Sequence, residues 1–240
     1  MGYLRPVTRI VEGVLRRSLR RNDYRHVWDW EARSARNARL VVAGTSDVRD
    51  HDASGLATAR DVLTETAIST SDVVLEIGCG VGRVGKHIAP LCARWVGADV
   101  SGRMLAHARA ALGDAANVAF HRISGFDLAG ISDASVDVVY CTGVFMHLDE
   151  WERYTYVLDA YRVLTPRGRL YIDNFGLTTP GGWQFFVDVV RTSPSQRPPQ
   201  VSRASTEEEL RTYAERAGFS GIRVRSGQLW ITLVAVKGDE

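Results

Sequence analysis

The sequence predicts an α/β domain built on a doubly wound, mostly parallel sheet with helices on both faces. From residue 72 onward, short apolar runs typical of buried strands alternate with helical segments. These runs are almost continuously apolar, which is typical of parallel strands covered on both faces. The first run is followed by the glycine-rich stretch "GCGVG" at residues 78–82. We therefore expect right-handed crossovers and a ligand at the carboxyl ends of the strands.

The composition fits one domain and narrows the class of protein. At 240 residues the chain is long enough for one α/β domain with an extension. A formal net charge of +2 is too small to favour a nucleic-acid-binding protein, so we predict no nucleic-acid partner. The three cysteines show neither zinc-ligand spacing nor a disulfide framework, which predicts a cytoplasmic location. The longest apolar stretch, residues 229–236, is too short to cross a bilayer.

Residues 1–55 are interpreted as a helical extension or lid on the domain at residues 56–240. Within residues 6–21, apolar side chains recur every three or four positions, which predicts an amphipathic helix with arginines flanking its apolar face. Packing of this helix on the domain or on a second subunit of a homodimer is the favoured interpretation. The alternative is peripheral contact with an anionic membrane surface. Residues 22–55 are mixed: "HVWDWEARSARNARLVVAG" at 26–44 is predicted to be partly helical, and "HDASG" at 51–55 to be a loop or a helix start.

The elements of the main domain follow in regular order. Helices are predicted at 56–69, 82–92, 101–112 and 150–164. Strands are predicted at "DVVLEIG", "RWVGADV", "VAFHRI", "VDVVYCTG" and "RLYIDNF". An insertion near 176–204 contains the proline-rich stretch "RTSPSQRPPQVSR", which predicts an exposed loop. Thr206 and the three glutamates after it predict a helix start, and Gly218 ends that helix before a terminal β-hairpin.

The glycine loop is typical of a nucleotide-like cofactor. Gly80, Gly82 and Gly85 form a G-x-G-x-x-G pattern, which dinucleotide-binding proteins share. Asp99, 19 residues after Gly80, is placed to accept hydrogen bonds from both ribose hydroxyls. Glu76 lies before the turn, where a carboxylate would repel a pyrophosphate but tolerate a cation. This favours S-adenosylmethionine over a nicotinamide dinucleotide, and an NAD(P)-dependent oxidoreductase is the alternative.

Four stretches resemble, in order and spacing, the motifs of the class I S-adenosylmethionine-dependent methyltransferases. They are "VLEIGCGVGR", "VGADVSGRML", "DASVDVVYCTGVFMHL" and "RVLTPRGRLYI", and the resemblance covers residues 72–175. It implies a Rossmann-like, seven-stranded sheet whose last strand is antiparallel, with S-adenosylmethionine as cofactor. We expect methyl transfer to a hydroxyl of a small molecule or saccharide, in glycan or natural-product biosynthesis. The alternatives are an N-methyltransferase and a non-enzymatic protein that binds the cofactor.

The resemblance also implies which residues contact the cofactor. Gly78, Cys79 and Gly80 would line its methionine part, and Cys141 would approach that part or the sulfonium. Asp99 would hold the ribose. Val100 and Met104 would flank the adenine.

One departure from the family pattern follows the third strand. Many relatives have Gly-Asp there, the aspartate binding the adenine amino group, whereas this chain has Ser124-Gly125. We expect Gly125 and Phe126 to contact the adenine through backbone groups. Asp127 would then replace the missing carboxylate, or else be an ordinary residue of a surface loop.

Two histidines are candidates for the general base that deprotonates an acceptor hydroxyl. His147, in "FMHLDEW", follows the fourth strand and so lies at the carboxyl edge of the sheet. Its alternative role is capping or packing. His51 is the second candidate.

The remaining candidates concern a metal and the acceptor pocket. Asp173-Asn174 resembles the pair in magnesium-dependent catechol-type O-methyltransferases, but no acidic partner follows the fourth strand, so magnesium is not favoured and we predict no metal ligands. Arg33 is placed to pair with the carboxylate of the cofactor. Aromatic residues are expected to supply the acceptor pocket, and these are Tyr24, Trp28, Trp30, Trp151, Tyr154, Trp183 and Phe185.

Overall fold

A computed structural model describes residues 22–239, so the amphipathic helix predicted at 6–21 lies outside the described residues. Within this range seven strands form one sheet. In chain order they are β1 (Val73–Ile77), β2 (Arg94–Asp99), β3 (Val118–Arg122), β4 (Val136–Cys141), β5 (Leu164–Phe175), β6 (Ser220–Ser226) and β7 (Trp230–Val236).

The order of the strands across the sheet is β3-β2-β1-β4-β5-β7-β6. Strands β1 to β5 pair in parallel. β7 runs antiparallel to both β5 and β6. The predicted sheet with an antiparallel last strand is therefore confirmed. Chain order reverses between β1 and β4, and open α/β sheets bind ligands at the carboxyl ends of the strands at such a point.

The helices cover both faces of the sheet. They are α1 (Tyr24–Glu31), α2 (Ala35–Ala43), α3 (Val48–Thr66), α4 (Gly85–Ile88), α5 (Gly102–Leu112), α6 (Glu150–Val163), α7 (Pro180–Arg191) and α8 (Glu207–Ala217). Short 3-10 turns occupy Ala89–Leu91, Phe145–His147 and Pro194–Gln196. Across the described range, no helix combines the length and apolar character that crossing a membrane requires.

Two helices differ from their predicted bounds for identifiable reasons. α3 begins at Val48 because the side chain of Asp47 accepts hydrogen bonds from two backbone N–H groups in its first turn, so residues 51–55 lie inside the helix. α4 ends after one turn because Pro90 cannot donate the next helical hydrogen bond. The predicted N-cap at Thr206 is present, since its side chain accepts from the N–H of Glu209.

The core has one layer on each face of the sheet. One layer packs the sheet against α6 and α8 and includes Tyr24 of α1. The other packs it against α3, α4 and α5 around the fully buried Trp95. α4 approaches this tryptophan closely, because a Cβ added at Gly85 would lie 2.2 Å from Cζ2 of Trp95. The third glycine of the sequence pattern thus serves the packing of α4 on the sheet.

Candidate active site

A cavity lies at the carboxyl ends of β1, β2 and β4, the position at which open α/β sheets bind their ligands. α1 and α2 contribute to its wall together with the glycine loop and the turn after β4. Six of the predicted cofactor residues line it, and they are Gly78, Gly80, Asp99, Val100, Met104 and Gly125.

The glycine loop has a backbone that side chains other than glycine rarely adopt. The φ angles of Gly78, Gly80 and Gly82 are 70°, 53° and 77°. A Cβ at Gly78 would lie 2.2 Å from a methyl group of Val144, and one at Gly80 would lie 3.3 Å from Val42. The loop therefore presents backbone to the cavity because side chains would collide with its opposite wall.

Asp99 ties the end of β2 to the glycine loop. Its Oδ2 accepts a hydrogen bond from the N–H of Gly80 at 2.8 Å, and its Oδ1 accepts one from the N–H of Ser101 at 2.8 Å. Burial raises the pKa of Asp99 to about 6, although these two N–H groups act in the opposite direction. A carboxylate offers about four acceptor positions. Asp99 can therefore receive two ribose hydroxyls while holding the loop.

Glu76 lies below the loop and does not line the cavity. Its Oε2 accepts a hydrogen bond from the hydroxyl of Tyr140 at 2.6 Å, and that hydroxyl accepts from Nε1 of Trp95 at 2.9 Å. Burial raises the pKa of Glu76 to about 8. The sequence predicts an ionised carboxylate near the ligand at this position, whereas in the structure the buried Glu76 is mainly protonated at neutral pH.

The raised pKa of Glu76 predicts a specific dependence of stability on pH. Between the ordinary pKa of 4.5 and the folded-state value of about 8, the unfolded chain has lost a proton that the folded chain retains. The free energy of unfolding therefore falls as pH rises through this window. Glu76→Gln cannot ionise, so its stability relative to the wild type should rise by more than about 1 kcal/mol from pH 4.5 to pH 8. Urea unfolding of both proteins at the two pH values measures this difference.

Glu215→Gln, at an exposed position of α8, is the matched control. It should not change the pH dependence of unfolding. If the wild type and Glu76→Gln differ by the same amount at both pH values, Glu76 is ionised in the folded protein and the prediction is wrong.

His147 lies in the 3-10 turn Phe145–His147 and lines the cavity. Its Nδ1 lies 2.8 Å from the backbone oxygen of Gln200. Since a carbonyl oxygen only accepts, Nδ1 carries the proton, and the lone pair of the neutral ring is on Nε2. The edge of the ring contacts Trp28, with ring centroids 4.7 Å apart. This tautomer is the one that a base acting through Nε2 requires.

A buried arginine holds the turn that carries His147. Arg153 of α6 is 4% exposed and donates from Nε to the oxygen of Phe145 at 2.8 Å. Its other nitrogens donate to Ser205, Glu209 and the backbone oxygen of Arg203. Arg153 thereby joins the turn to the segment at 200–205, which contains the hydrogen-bond partner of His147. The sequence did not reveal this role, because the partners lie in two separate parts of the chain, at 145 and at 203–209.

Gln200 connects the same segment to α1. Its Nε2 donates to Oε1 of Glu31 at 2.8 Å, and Glu31 is buried. Asn37 of α2 donates to the other carboxylate oxygen of Glu31 at 3.0 Å. The proline-rich loop, predicted as merely exposed, therefore fixes two walls of the cavity relative to each other.

Four predicted cofactor residues do not line the cavity. Cys79 and Cys141 are buried, and burial raises the pKa of each thiol well above its ordinary value. Phe126 is 44% exposed and its ring contacts Tyr24. The Oδ1 of Asp127 accepts from Oγ of Ser124 and the N–H of Ala129, which are bonds within its own loop. These contacts match the surface-loop interpretation of Asp127.

His51 lies in α3 and does not line the cavity either. It is 8% exposed, and its Nε2 is buried without a hydrogen-bond partner. Burial lowers the pKa of His51 to about 4, and the charges of Arg83, Arg39 and Lys86 contribute in the same direction. Its ring is therefore neutral at physiological pH.

Few of the predicted aromatic residues reach the cavity. Tyr24 and Trp28 line it. Arg33 stacks on Trp30 at 5.0 Å and does not line the cavity, whereas Arg83 does. Five aromatic residues proposed for the acceptor pocket lie elsewhere, and they are Trp30, Trp151, Tyr154, Trp183 and Phe185.

Asp173 and Asn174 organise the loops at the end of β5. Oδ1 of Asp173 accepts from the N–H of Gly143 at 2.7 Å, and Nδ2 of Asn174 donates to Oγ of Ser205 at 2.7 Å. Burial raises the pKa of Asp173 to about 7. Within the described range, no three histidine, cysteine, aspartate or glutamate side chains come together as metal ligands do.

The sheet order, the glycine loop and the matched residues define a class I S-adenosylmethionine-dependent methyltransferase domain. Residues 75–172 match the family model described as a methyltransferase domain. The resemblance seen in the sequence is thus confirmed, and S-adenosylmethionine is the cofactor of this class.

A curated relative matches part of this chain. The chain is 30% identical over 164 residues to an arsenite methyltransferase of Halobacterium salinarum, a match that covers 66% of this chain and 40% of the relative. The chain therefore spans well under two thirds of the length of that curated relative.

Solved structures share the fold at lower identity. The magnesium protoporphyrin IX methyltransferase of Synechocystis with bound SAH is 21% identical, with a TM-score of 0.61 over 80% of this chain and 88% of that one. A possible histamine N-methyltransferase of Thermotoga maritima is 17% identical, with a TM-score of 0.65 over 89% and 99%. Identities this low establish the fold alone.

Proposed function

We propose that this protein is an O-methyltransferase that uses S-adenosylmethionine to methylate a hydroxyl of a small molecule or saccharide, in glycan or natural-product biosynthesis. The observation that supports this proposal is His147, a histidine at the cavity wall whose Nδ1 proton is engaged by Gln200. A hydroxyl is a poor nucleophile until it loses its proton, and a positioned imidazole is suited to remove it.

The cofactor would supply an activated methyl group, which would pass to the acceptor oxygen as the carbon–sulfur bond breaks and its electron pair stays on sulfur. Nε2 of His147 would take the hydroxyl proton and later release it to solvent. The products are the methyl ether and S-adenosylhomocysteine. The main task of the protein is to align the oxygen, the methyl carbon and the sulfur.

The cofactor would extend along the glycine loop and the end of β2. In this arrangement Asp99 receives the ribose hydroxyls, and the adenine lies among Val100, Met104 and Gly125. The methionine part follows Gly78 and Gly80. These assignments rest on the six predicted residues that line the same cavity.

The N-terminal extension would act as a lid. Tyr24 and Trp28 of α1 and Val41 and Val42 of α2 line the cavity together with the glycine loop. Their surfaces are mostly apolar and aromatic, which suits a sugar ring or an aromatic acceptor. The cytoplasmic location, the homodimer and the membrane contact of residues 6–21 stay predictions.

Arsenite, the substrate named for the curated relative, is poorly matched by this cavity. Arsenic(III) is a soft centre, and the thiolate is the soft ligand that cysteine provides. The three cysteines of the chain, Cys79, Cys92 and Cys141, are all buried, and none lines the cavity. Burial also raises the pKa of each thiol. We therefore propose a hydroxyl acceptor and not arsenite.

A screen of labelled methyl transfer tests the proposal. We expect label in sugars or phenols, and not in amine analogues of the same size or in arsenite, with or without a chelator. Transfer confined to amines would contradict the O-methyltransferase assignment. Loss of transfer upon chelation would contradict the metal-free mechanism.

A further inference from the structure

A polar cluster lies next to the cavity, on the α3 side of the sheet. It comprises Arg83, which follows the glycine loop, and three residues of α3, namely His51, Ser54 and Thr58. Nη1 of Arg83 donates to Oγ1 of Thr58 at 3.1 Å and to Oγ of Ser54 at 3.4 Å. Because Arg83 also lines the cavity, the cluster borders the proposed ligand site.

Two buried nitrogen atoms of this cluster have no hydrogen-bond partner. They are Nε of Arg83 and Nε2 of His51. Buried polar atoms in folded proteins are almost always hydrogen-bonded, so two such atoms in one cluster call for an explanation. The hydroxyls of Ser54 and Thr58 accept from Nη1 of Arg83 and donate to backbone oxygens within α3, but neither bonds to these two nitrogen atoms.

The cluster carries positive charge that its surroundings balance only in part. Across the described range no carboxylate forms an ion pair with Arg83. The carboxyl groups that act on it most are Glu76 and Asp173, and burial raises the pKa of these to about 8 and about 7. Both are therefore largely or partly protonated at neutral pH.

The cluster is held by close packing of α3 on the glycine loop. A Cβ at Gly55 would lie 2.3 Å from the backbone oxygen of Arg83 and 2.8 Å from its Cγ. Only glycine at this position lets the helix approach so closely. The backbone and the first side-chain carbons of Arg83 are thus fixed, which orients its guanidinium before any ligand binds.

We propose that Arg83 and His51 form a carboxylate-binding subsite at the edge of the cavity. Arg83 lines the cavity, and its guanidinium would bind the carboxylate with its planar array of donors. His51 does not line the cavity, so its buried ring would act as a positioning residue behind the guanidinium. Two molecules could supply this carboxylate: the cofactor, through its methionine end, and the acceptor, through an acid group. Both sources rest on the proposed function. Both present the same chemistry to the subsite.

The first experiment compares two cofactor-like ligands by calorimetry on the full-length protein. They are S-adenosylhomocysteine and its decarboxylated analogue, which keeps the amine and the nucleoside. If the cofactor supplies the carboxylate, the wild type should bind S-adenosylhomocysteine about tenfold or more tightly than the analogue. Arg83→Met should remove most of this preference, and His51→Leu should reduce it. Arg60→Met, an exposed arginine of α3, should leave it unchanged.

The second experiment tests the acceptor as the source. With the protein saturated by S-adenosylhomocysteine, benzoate and benzyl alcohol are titrated in turn. If the acceptor supplies the carboxylate, benzoate should bind the wild type but not Arg83→Met. The affinity for benzyl alcohol should be the same in both proteins. If Arg83→Met changes neither comparison, the subsite proposal is overturned.

Each comparison is a ratio of two affinities measured on the same protein. Partial unfolding of a variant affects both affinities alike and therefore leaves the ratio unchanged. If Arg83→Met fails to fold, Arg83→Lys keeps the charge but not the planar donors, and should weaken the preference several-fold. Neither experiment needs turnover. A negative methyl-transfer screen with an intact carboxylate preference would therefore refute the proposed function and leave the subsite standing.

Discussion

Replacing His147 with alanine should lower turnover by about 10²–10⁴-fold, the range that general-base catalysis contributes. Its Nδ1 proton is bound to the oxygen of Gln200, so the lone pair of the neutral ring is on Nε2, the atom that we propose as the base. The cofactor contacts that we propose lie on the glycine loop and at Asp99, so affinity for S-adenosylhomocysteine should change little. Single-turnover rates and calorimetry on the same preparation measure both quantities.

A positional role for His147 would give a different pattern. If the ring acts as a base, added imidazole should restore part of the activity of His147→Ala, and phenols should be less sensitive to the substitution than alcohols, because phenols ionise more easily. His26→Ala, an exposed histidine of α1, should retain wild-type turnover. Wild-type turnover in His147→Ala itself would remove this residue from the mechanism.

The fold was predictable because its signals are local and repeated. Each parallel strand is an apolar run, and the turn from β1 to α4 is marked by glycines whose positive φ values the structure confirms. Helix ends were less predictable. The start of α3 depends on the side chain of Asp47, while the apolar stripe that revealed the helix begins several residues later.

The site residues that could be predicted from the sequence are those that lie in a single turn after a strand. Gly78, Gly80 and Asp99 are fixed by the turns that follow β1 and β2, and all three line one cavity. Arg83 and Arg153 acquire their roles from partners more than 20 residues away. Neither arginine belongs to a spacing pattern, so the sequence alone did not single them out.

Long-range contacts also explain why the proline-rich loop, although exposed, contributes to the candidate site. The stretch at 191–203 has the composition of a surface loop, and most of its side chains are indeed at least partly exposed. Yet Gln200 contacts both His147 and Glu31. Composition predicts the exposure of such a segment, but not which of its backbone oxygens contacts the ring of His147.

Asp99 performs two tasks, and this makes its replacement informative. It accepts hydrogen bonds from Gly80 and Ser101 in the folded protein, and we propose that it also accepts two from the ribose. Asp99→Ala should weaken binding of S-adenosylhomocysteine by roughly 1–3 kcal/mol, because paired hydroxyl partners are lost. Calorimetry measures this change, and Asp114→Ala, an exposed aspartate, should bind as the wild type does.

The pH dependence of binding separates the ribose contact from the support of the loop. Because burial raises the pKa of Asp99 to about 6, the carboxylate becomes protonated as pH falls through this value and loses acceptor capacity. Affinity of the wild type for S-adenosylhomocysteine should therefore decrease below pH 6, and this decrease should be absent in Asp99→Asn. Unfolding curves at pH 5.5 and pH 7 should show that both proteins stay folded at the two pH values, so that the change measured is one of binding. Affinity that is unaltered in Asp99→Ala would contradict the placement of the ribose, whatever the pH profile.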